Sequence, residues 1–246
     1  MVPPAFGSIL HHPARGLNIG LAEAVTNIAP KRPRVKVTTA QGTCHADHVV
    51  VTQPLGVLRR AWSALPNPLT PSASAPSTGS RFVFEQMRLR FDRMFWPADK
   101  DWIDFPRPTE TLWGDWTNYL PACGPPVIVG FNAARMGDEI EALSDAATTT
   151  SAMAALRAMF GSSVPDPVAA QFSRWRANPF ARGAYSFRAV GSSHKDRSAL
   201  FGADRDSRLQ FASKAASKGR PATVHSALLT GRATAAAILN DTRPFP

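Results

Sequence analysis

Cysteine is nearly absent: Cys44 and Cys123 are the two thiols in 246 residues. Two cysteines without paired spacing give neither a disulfide framework nor a thiolate metal site, so reduced thiols in a cytoplasmic-type compartment are expected. Long apolar runs are also missing, and none approaches the ~20 residues of a membrane-spanning helix. The first residues, Met-Val-Pro-Pro-Ala-Phe-Gly, have no basic region followed by an apolar stretch, so no signal peptide is read there. His11, His12, His45 and His48 show no ligand spacing, and no metal is expected.

Acidic residues are in short supply. Eighteen Asp and Glu face 28 Lys and Arg, a net charge of +10. The stretch from Arg174 to Pro246 holds thirteen basic and four acidic residues and so carries most of the excess. Such a balance suits nucleic acid, anionic lipid or a phosphate-bearing ligand. The arginines are scattered and are not interleaved with aromatics, so nucleic acid is not the expected partner. Hydrophobic residues make up 44% and charged residues 19%, which fits a chain with a packed core.

Residues 17–58 read as a β-rich start. Leu17, Ile19 and Leu21 alternate, as do Val35 and Val37, and Gln41-Gly42 signals a turn. The run from Ala46 to Thr52 suggests a buried strand, ended by Pro54 and Gly56. Pro, Ser and Ala crowd residues 64–80, a composition that predicts a flexible loop. A strand pattern follows in Phe82, Phe84, Met87, Leu89 and Phe91, with aromatic-rich strands at 101–105 and 112–116 and another at 125–131. Ser144-Asp145 predicts a helix start, with Met153, Leu156 and Phe160 on one face and an end near Gly161. A last helix spans about Ala222 to Leu239, with Val224, Ala227, Leu228, Gly231 and Ala235 expected to pack against a flat neighbour.

Five segments in register resemble the flavin amine oxidases, the family of polyamine oxidases, monoamine oxidases and lysine-specific histone demethylases. They are Ala46–Leu58, Phe91–Pro97 with Phe95-Trp96-Pro97, Gly130–Ala134, Arg174–Phe187, and Phe211–Gly231 with Ala222-Thr223-Val224-His225. The resemblance implies a mixed α/β fold: a partial FAD-linked amine oxidase fold lacking the N-terminal dinucleotide-binding βαβ unit. Residues 1–60 and 205–246 would be the remnant of the FAD-binding lobe, and 61–204 the substrate-binding lobe. FAD would be the cofactor and a small amine, possibly a polyamine, the substrate. Val25, Thr52, Pro54, Ser213, Lys214, Ala222, Thr223 and Val224 hold places that contact FAD. Trp175, Phe180 and Tyr185 hold places around the amine. His225 reads as a packing residue of its helix.

Departures from the family pattern fall on the same positions. No Gly-x-Gly-x-x-Gly occurs, the element whose glycines let the backbone approach a pyrophosphate. Ser213-Lys214 replaces a Gly-Glu pair. Gln86 stands where many members carry an active-site lysine, ten residues before Trp96, and an amide neither carries charge nor acts as a base. The expectation is a truncated or degenerate amine oxidase with weak or no activity alone. The alternative is a non-catalytic pseudoenzyme or interaction module whose partner chain covers the missing unit.

Overall fold

A computed structural model describes residues 6–31, 34–61, 79–82, 84–106, 112–188, 208–217 and 222–240. Strands β1 (Val25–Lys31), β2 (Arg34–Thr39) and β3 (Gly42–Ala46) form an antiparallel meander. The Gln41-Gly42 signal falls at the β2–β3 junction, where Thr39 pairs with Gly42. The alternation at 17–21 forms no strand: Leu17, Ile19 and Leu21 are 65%, 54% and 82% exposed, so no packed face holds them in a sheet. The run at 46–52 is also divided. Ala46 closes β3, and only β4 (Val49–Val51) is a separate strand, paired in parallel with β12 (Leu209–Phe211). The strand ends at Val51, three residues ahead of Pro54, and Gly56 lies inside helix α1 (Leu55–Ala61). Val51, Leu58, Leu209 and Phe211 form a small core there.

The larger core lies under a five-stranded antiparallel sheet. Its strands are β6 (Phe84–Arg90), β7 (Trp102–Asp104), β8 (Asp115–Asn118), β9 (Val127–Ala133) and β10 (Ala169–Phe172), in the order β10-β6-β9-β8-β7. A separate pair joins β5 (Gly79–Phe82) to β11 (Tyr185–Arg188). Residues 64–78 of the expected loop lie outside the described residues, while Gly79 and Ser80 belong to β5. Leu112 and Trp113 form a turn ahead of β8, with Trp113 at φ +64°. Gly130 permits that arrangement. A Cβ there would sit 2.8 Å from the Trp116 ring and 2.9 Å from the Trp113 ring.

One face of β6 is buried and presents Glu85, Met87 and Leu89. The apolar pattern Phe82, Phe84, Met87, Leu89 therefore changes face between Phe84 and Met87, and a glutamate takes the first core position. Helices α3 (Ala134–Glu141) and α4 (Asp145–Phe160) cover this face through Ile140, Met153 and Leu156. α4 starts where expected, because the Ser144 side chain accepts from the Ala147 N–H at 3.2 Å. A short helix, α2 (Leu120–Cys123), joins β8 to β9.

The last helix, α5 (Val224–Leu239), reverses the expectation about its buried face. Val224, Leu228 and Leu239 are exposed, whereas Ser226, Thr230 and Thr234 are buried. These three share one stripe at i, i+4 and i+8. The single Thr230 O–H is shared between the Ala227 carbonyl (3.0 Å) and the Ser213 carbonyl (3.4 Å), and Thr234 donates to the Phe211 carbonyl (3.5 Å). The helix lies close to the end of β12, where the buried Phe211 carbonyl needs a donor that an aliphatic side chain does not supply.

Candidate functional site

A cavity of about 370 Å³ opens where the parallel strand pair ends. Its lining includes Pro54, Gly56, Trp175, Arg182, Tyr185 and Lys214. The turn after β4 supplies the first wall, and Gly56 lets α1 press against the 181–183 loop. A Cβ at Gly56 would meet the Arg182 carbonyl oxygen at 2.3 Å. The loop is held by local bonds: Asn178 Oδ1 accepts from the Phe180 N–H at 2.9 Å, and the Gly183 N–H donates to the Trp175 carbonyl at 2.9 Å. Arg182 and Gly183 both have positive φ, +52° and +137°, which turns the chain back so that Tyr185 enters β11 beside the cavity.

Lys214 sits in the opposite wall. Its Nζ donates to the Ala184 carbonyl at 3.3 Å, and its own carbonyl accepts from the Ala222 N–H at 3.1 Å. Burial lowers the Lys214 pKa and raises that of the Tyr185 phenol. Among the described residues, the cavity lining includes Arg182 and Lys214 and no Asp or Glu.

Tyr185 also faces a second surface. Its ring centroid is 6.4 Å from that of Phe84, which stacks on Phe131 at 5.3 Å. Phe131 in turn stacks on Trp102 at 5.6 Å. Sheet register places Gln86 opposite Phe131, Phe131 opposite Asp115, and Asp115 opposite Asp104, so these side chains share one face. Burial, then the charge and hydrogen bond of Asp104, raise the Asp115 carboxyl above its ordinary value. Trp102 Nε1 donates to Asp104 Oδ1. The result is an aromatic strip with two carboxylates at one end and a half-buried glutamine in the middle.

The expected site residues are therefore brought together in part. Pro54, Trp175, Tyr185 and Lys214 line the cavity. Ser213 is adjacent, its Oγ accepting from the Ala215 N–H at 3.3 Å. Ala222, at φ +63°, and Thr223 lead into α5, and the Thr223 side chain caps it by accepting from the Ser226 N–H. Val224 is exposed on its first turn. Thr52 lies just before Pro54 and is exposed. Val25 (42% exposed) and Phe180 (72% exposed) do not line the cavity. Gln86 lies on the aromatic strip, its Oε1 accepting from Arg88 at 3.1 Å. His225 is exposed, its Nε2 lying 3.4 Å from Thr223 Oγ1. Sequence reasoning missed Arg182 and the Asp104–Asp115 pair. Alternating aspartates in two strands separated by a turn were the available signal, but their pairing depends on register.

The same architecture occurs in wild-type putrescine oxidase bound to putrescine, with a TM-score of 0.71 at 18% identity, covering 94% of this chain and 51% of that one. A putrescine oxidase variant with redesigned cofactor binding aligns with a TM-score of 0.74 at 17% identity, over 94% and 51% of the two chains. At this identity the likeness defines a fold, a mixed α/β one of the amine oxidase type. Residues 3–239 match the family described as Flavin containing amine oxidoreductase, and the chain belongs to that family. Among its relatives, Polyamine oxidase 4 of Oryza sativa subsp. japonica is 35% identical over 225 residues, which is 90% of this chain and 45% of the relative. Lysine-specific histone demethylase 1 homolog 1 of Arabidopsis thaliana is 31% identical over 254 residues, 98% of this chain and 30% of the relative. The chain thus spans less than half the length of either relative.

Membership of this family implies FAD. The cavity residues fit the ring end of that cofactor. Trp175 and Tyr185 give the cavity two aromatic walls, which suit a planar ring. Among the described residues there is no cluster of ligands for a metal, and no helix is long and apolar enough to cross a membrane.

Proposed function

We propose that this chain forms the substrate-facing part of an FAD-dependent amine oxidase, acting on a polyamine-type amine with O2 as acceptor. The observation that carries the reading is the position of Tyr185, shared by a cationic cavity and an acidic, aromatic strip. A planar electron acceptor suits the first, and a cationic amine suits the second. When bound, FAD supplies the oxidation at the amine α-carbon. Asp104 and Asp115 hold the ammonium end, while Phe84, Phe131 and Trp102 exclude water along its alkyl chain. Gln86 orients a water by hydrogen bonding but moves no proton. That substitution supports weak or no activity for the chain by itself. The exposed thiols Cys44 and Cys123 support a reducing, cytoplasmic setting.

The decisive experiment titrates purified protein with FAD, followed by flavin fluorescence, and then adds putrescine or spermidine under air. Quenching with slow peroxide release is expected, and Asp115→Asn should weaken amine-dependent turnover about tenfold. Full-rate turnover would contradict the role given to Gln86. The absence of both quenching and peroxide would overturn the oxidase reading.

A second reading, as an interaction module, has its own support. Val224, Leu228, Leu229 and Leu239 on α5 are 50–82% exposed, a stripe that suits a covering partner chain. Light scattering decides it: a stable, monodisperse monomer would contradict partner dependence.

A further inference from the structure

We propose that Glu85 is a positioning residue for Trp175: its carboxyl proton closes a hydrogen bond to Glu141, and the closed pair fixes the Trp175 turn in the cavity wall. The use made of that wall rests on the FAD reading above, whereas the hold on the turn does not.

Three successive backbone N–H groups carry the inference. The Trp175 backbone hydrogen-bonds the Glu85 carboxyl, and the Arg176 and Ala177 N–H groups donate to Glu141 Oε1 at 2.8 and 3.0 Å. Glu85 comes from β6 and Glu141 from the end of α3, so the turn bridges a strand and a helix. Ser173 tightens the grip. Its Oγ accepts from the Gln86 N–H at 2.8 Å, which leaves its proton for Glu85 Oε2 at 3.3 Å. On the far side the Trp175 carbonyl accepts from the Gly183 N–H at 2.9 Å. The Trp175 backbone is thus held from both directions, and its side chain lines the cavity.

Each carboxyl keeps a second oxygen free of these bonds. Glu85 is 2% exposed, and among the described residues Glu85 Oε1 and Glu141 Oε2 are buried without a partner. Two ionised carboxylates on one turn repel each other. A proton on Glu85 turns it into a donor and satisfies both orphan oxygens at once. The neighbouring cations are engaged by other groups. Arg174 donates to the Ile140 carbonyl at 3.0 Å and pairs with Asp145 of α4 at 2.7 Å, while Arg176 contacts Asp138 of α3. The group facing Glu85 from β9 is the neutral Asn132. Burial, then the Glu141 charge, place the Glu85 pKa at about 7, so the proton leaves, and the turn loosens, as pH rises through that value.

Backbone amide NMR of the native chain between pH 5 and 9 tests the idea. The Trp175, Arg176 and Ala177 amides should move together with one midpoint near 7. Their exchange protection, corrected for intrinsic rates, should fall about tenfold from pH 6 to pH 8, given a pKa of 4.5 in the opened turn. Glu85→Gln keeps the shape and a donor without the charge, so the three amides should hold their low-pH positions throughout and the tenfold change should vanish. Glu141→Gln removes the like charge and should move the midpoint to lower pH. FAD affinity, read by flavin quenching, should weaken about tenfold over the same interval in the native chain and not in Glu85→Gln. Amides that do not titrate near 7, or that titrate alike in Glu85→Gln, would overturn the proposal. A titrating turn with unchanged FAD affinity would overturn the positioning role. A titrating turn in a chain that quenches no flavin at any pH would support the hold of Glu85 on the turn and remove the oxidase reading alone.

Discussion

Glu85 faces the core from β6, 2% exposed, where a strand pattern calls for an apolar side chain. Burial, then the charge of Glu141, raise its pKa from 4.5 to about 7, against the opposing pull of Ser173, Arg174 and the Trp175 backbone. Among the described residues its Oε1 has no partner, nor does Nδ2 of Asn132, the residue opposite it in the sheet. The native state thus holds an extra proton between the unfolded and folded pKa values. Stability from this group is full below about 4.5 and is lost as pH rises through about 7. Glu85→Gln should flatten that dependence and stabilise the chain at pH 8 by about 1 kcal/mol, read from urea midpoints at pH 6 and 8. Gly130 makes the opposite demand, for space. Gly130→Ala would drive a methyl group into the Trp113 and Trp116 rings and should cost about 1–3 kcal/mol in thermal unfolding.

At the scale of elements, α5 is held by hydroxyls and not by its leucines. Thr230→Val would remove one donor from the Ser213 carbonyl, which keeps the Ala216 N–H at 3.0 Å, and a loss of about 0.5–1.5 kcal/mol of amide protection in α5 is expected. Leu228→Gln, on the exposed side, should change stability by less than about 0.5 kcal/mol. Hydrogen exchange across the helix separates the two. The α4 cap is a simpler case, legible before folding. Ser144→Ala removes the bond to the Ala147 N–H and should cost about 1 kcal/mol by chemical denaturation.

At the scale of the molecule, the described residues form two apolar clusters of very different size. The larger joins Met87, Leu89, Trp113, Trp116, Ile128 and Leu156 under the five-stranded sheet, while the smaller consists of Val51, Leu58, Leu209 and Phe211. Unequal burial makes unequal local stability. Amides of β6 and β9 should therefore exchange more slowly than those of β4 and β12 in native-state hydrogen exchange, and a reversed order would contradict this hierarchy.

Local chemistry was legible where one residue decides the outcome. The Ser144 cap, the break at Pro54, the turn at Gln41-Gly42 and the motifs at 46–58, 91–97 and 174–187 all lie within a few residues of their effect. Family membership followed from those motifs. What the sequence by itself did not determine was every feature set by register or by the packing of distant segments. Glu85 enters the core, Asp104 meets Asp115, and α5 turns its threonines inward because tertiary contacts select the face of each element. The cavity is of the same kind. Pro54, Trp175, Tyr185 and Lys214 are up to 160 positions apart, and only the parallel pairing of β4 with β12 and the close approach at Gly56 set them around one space.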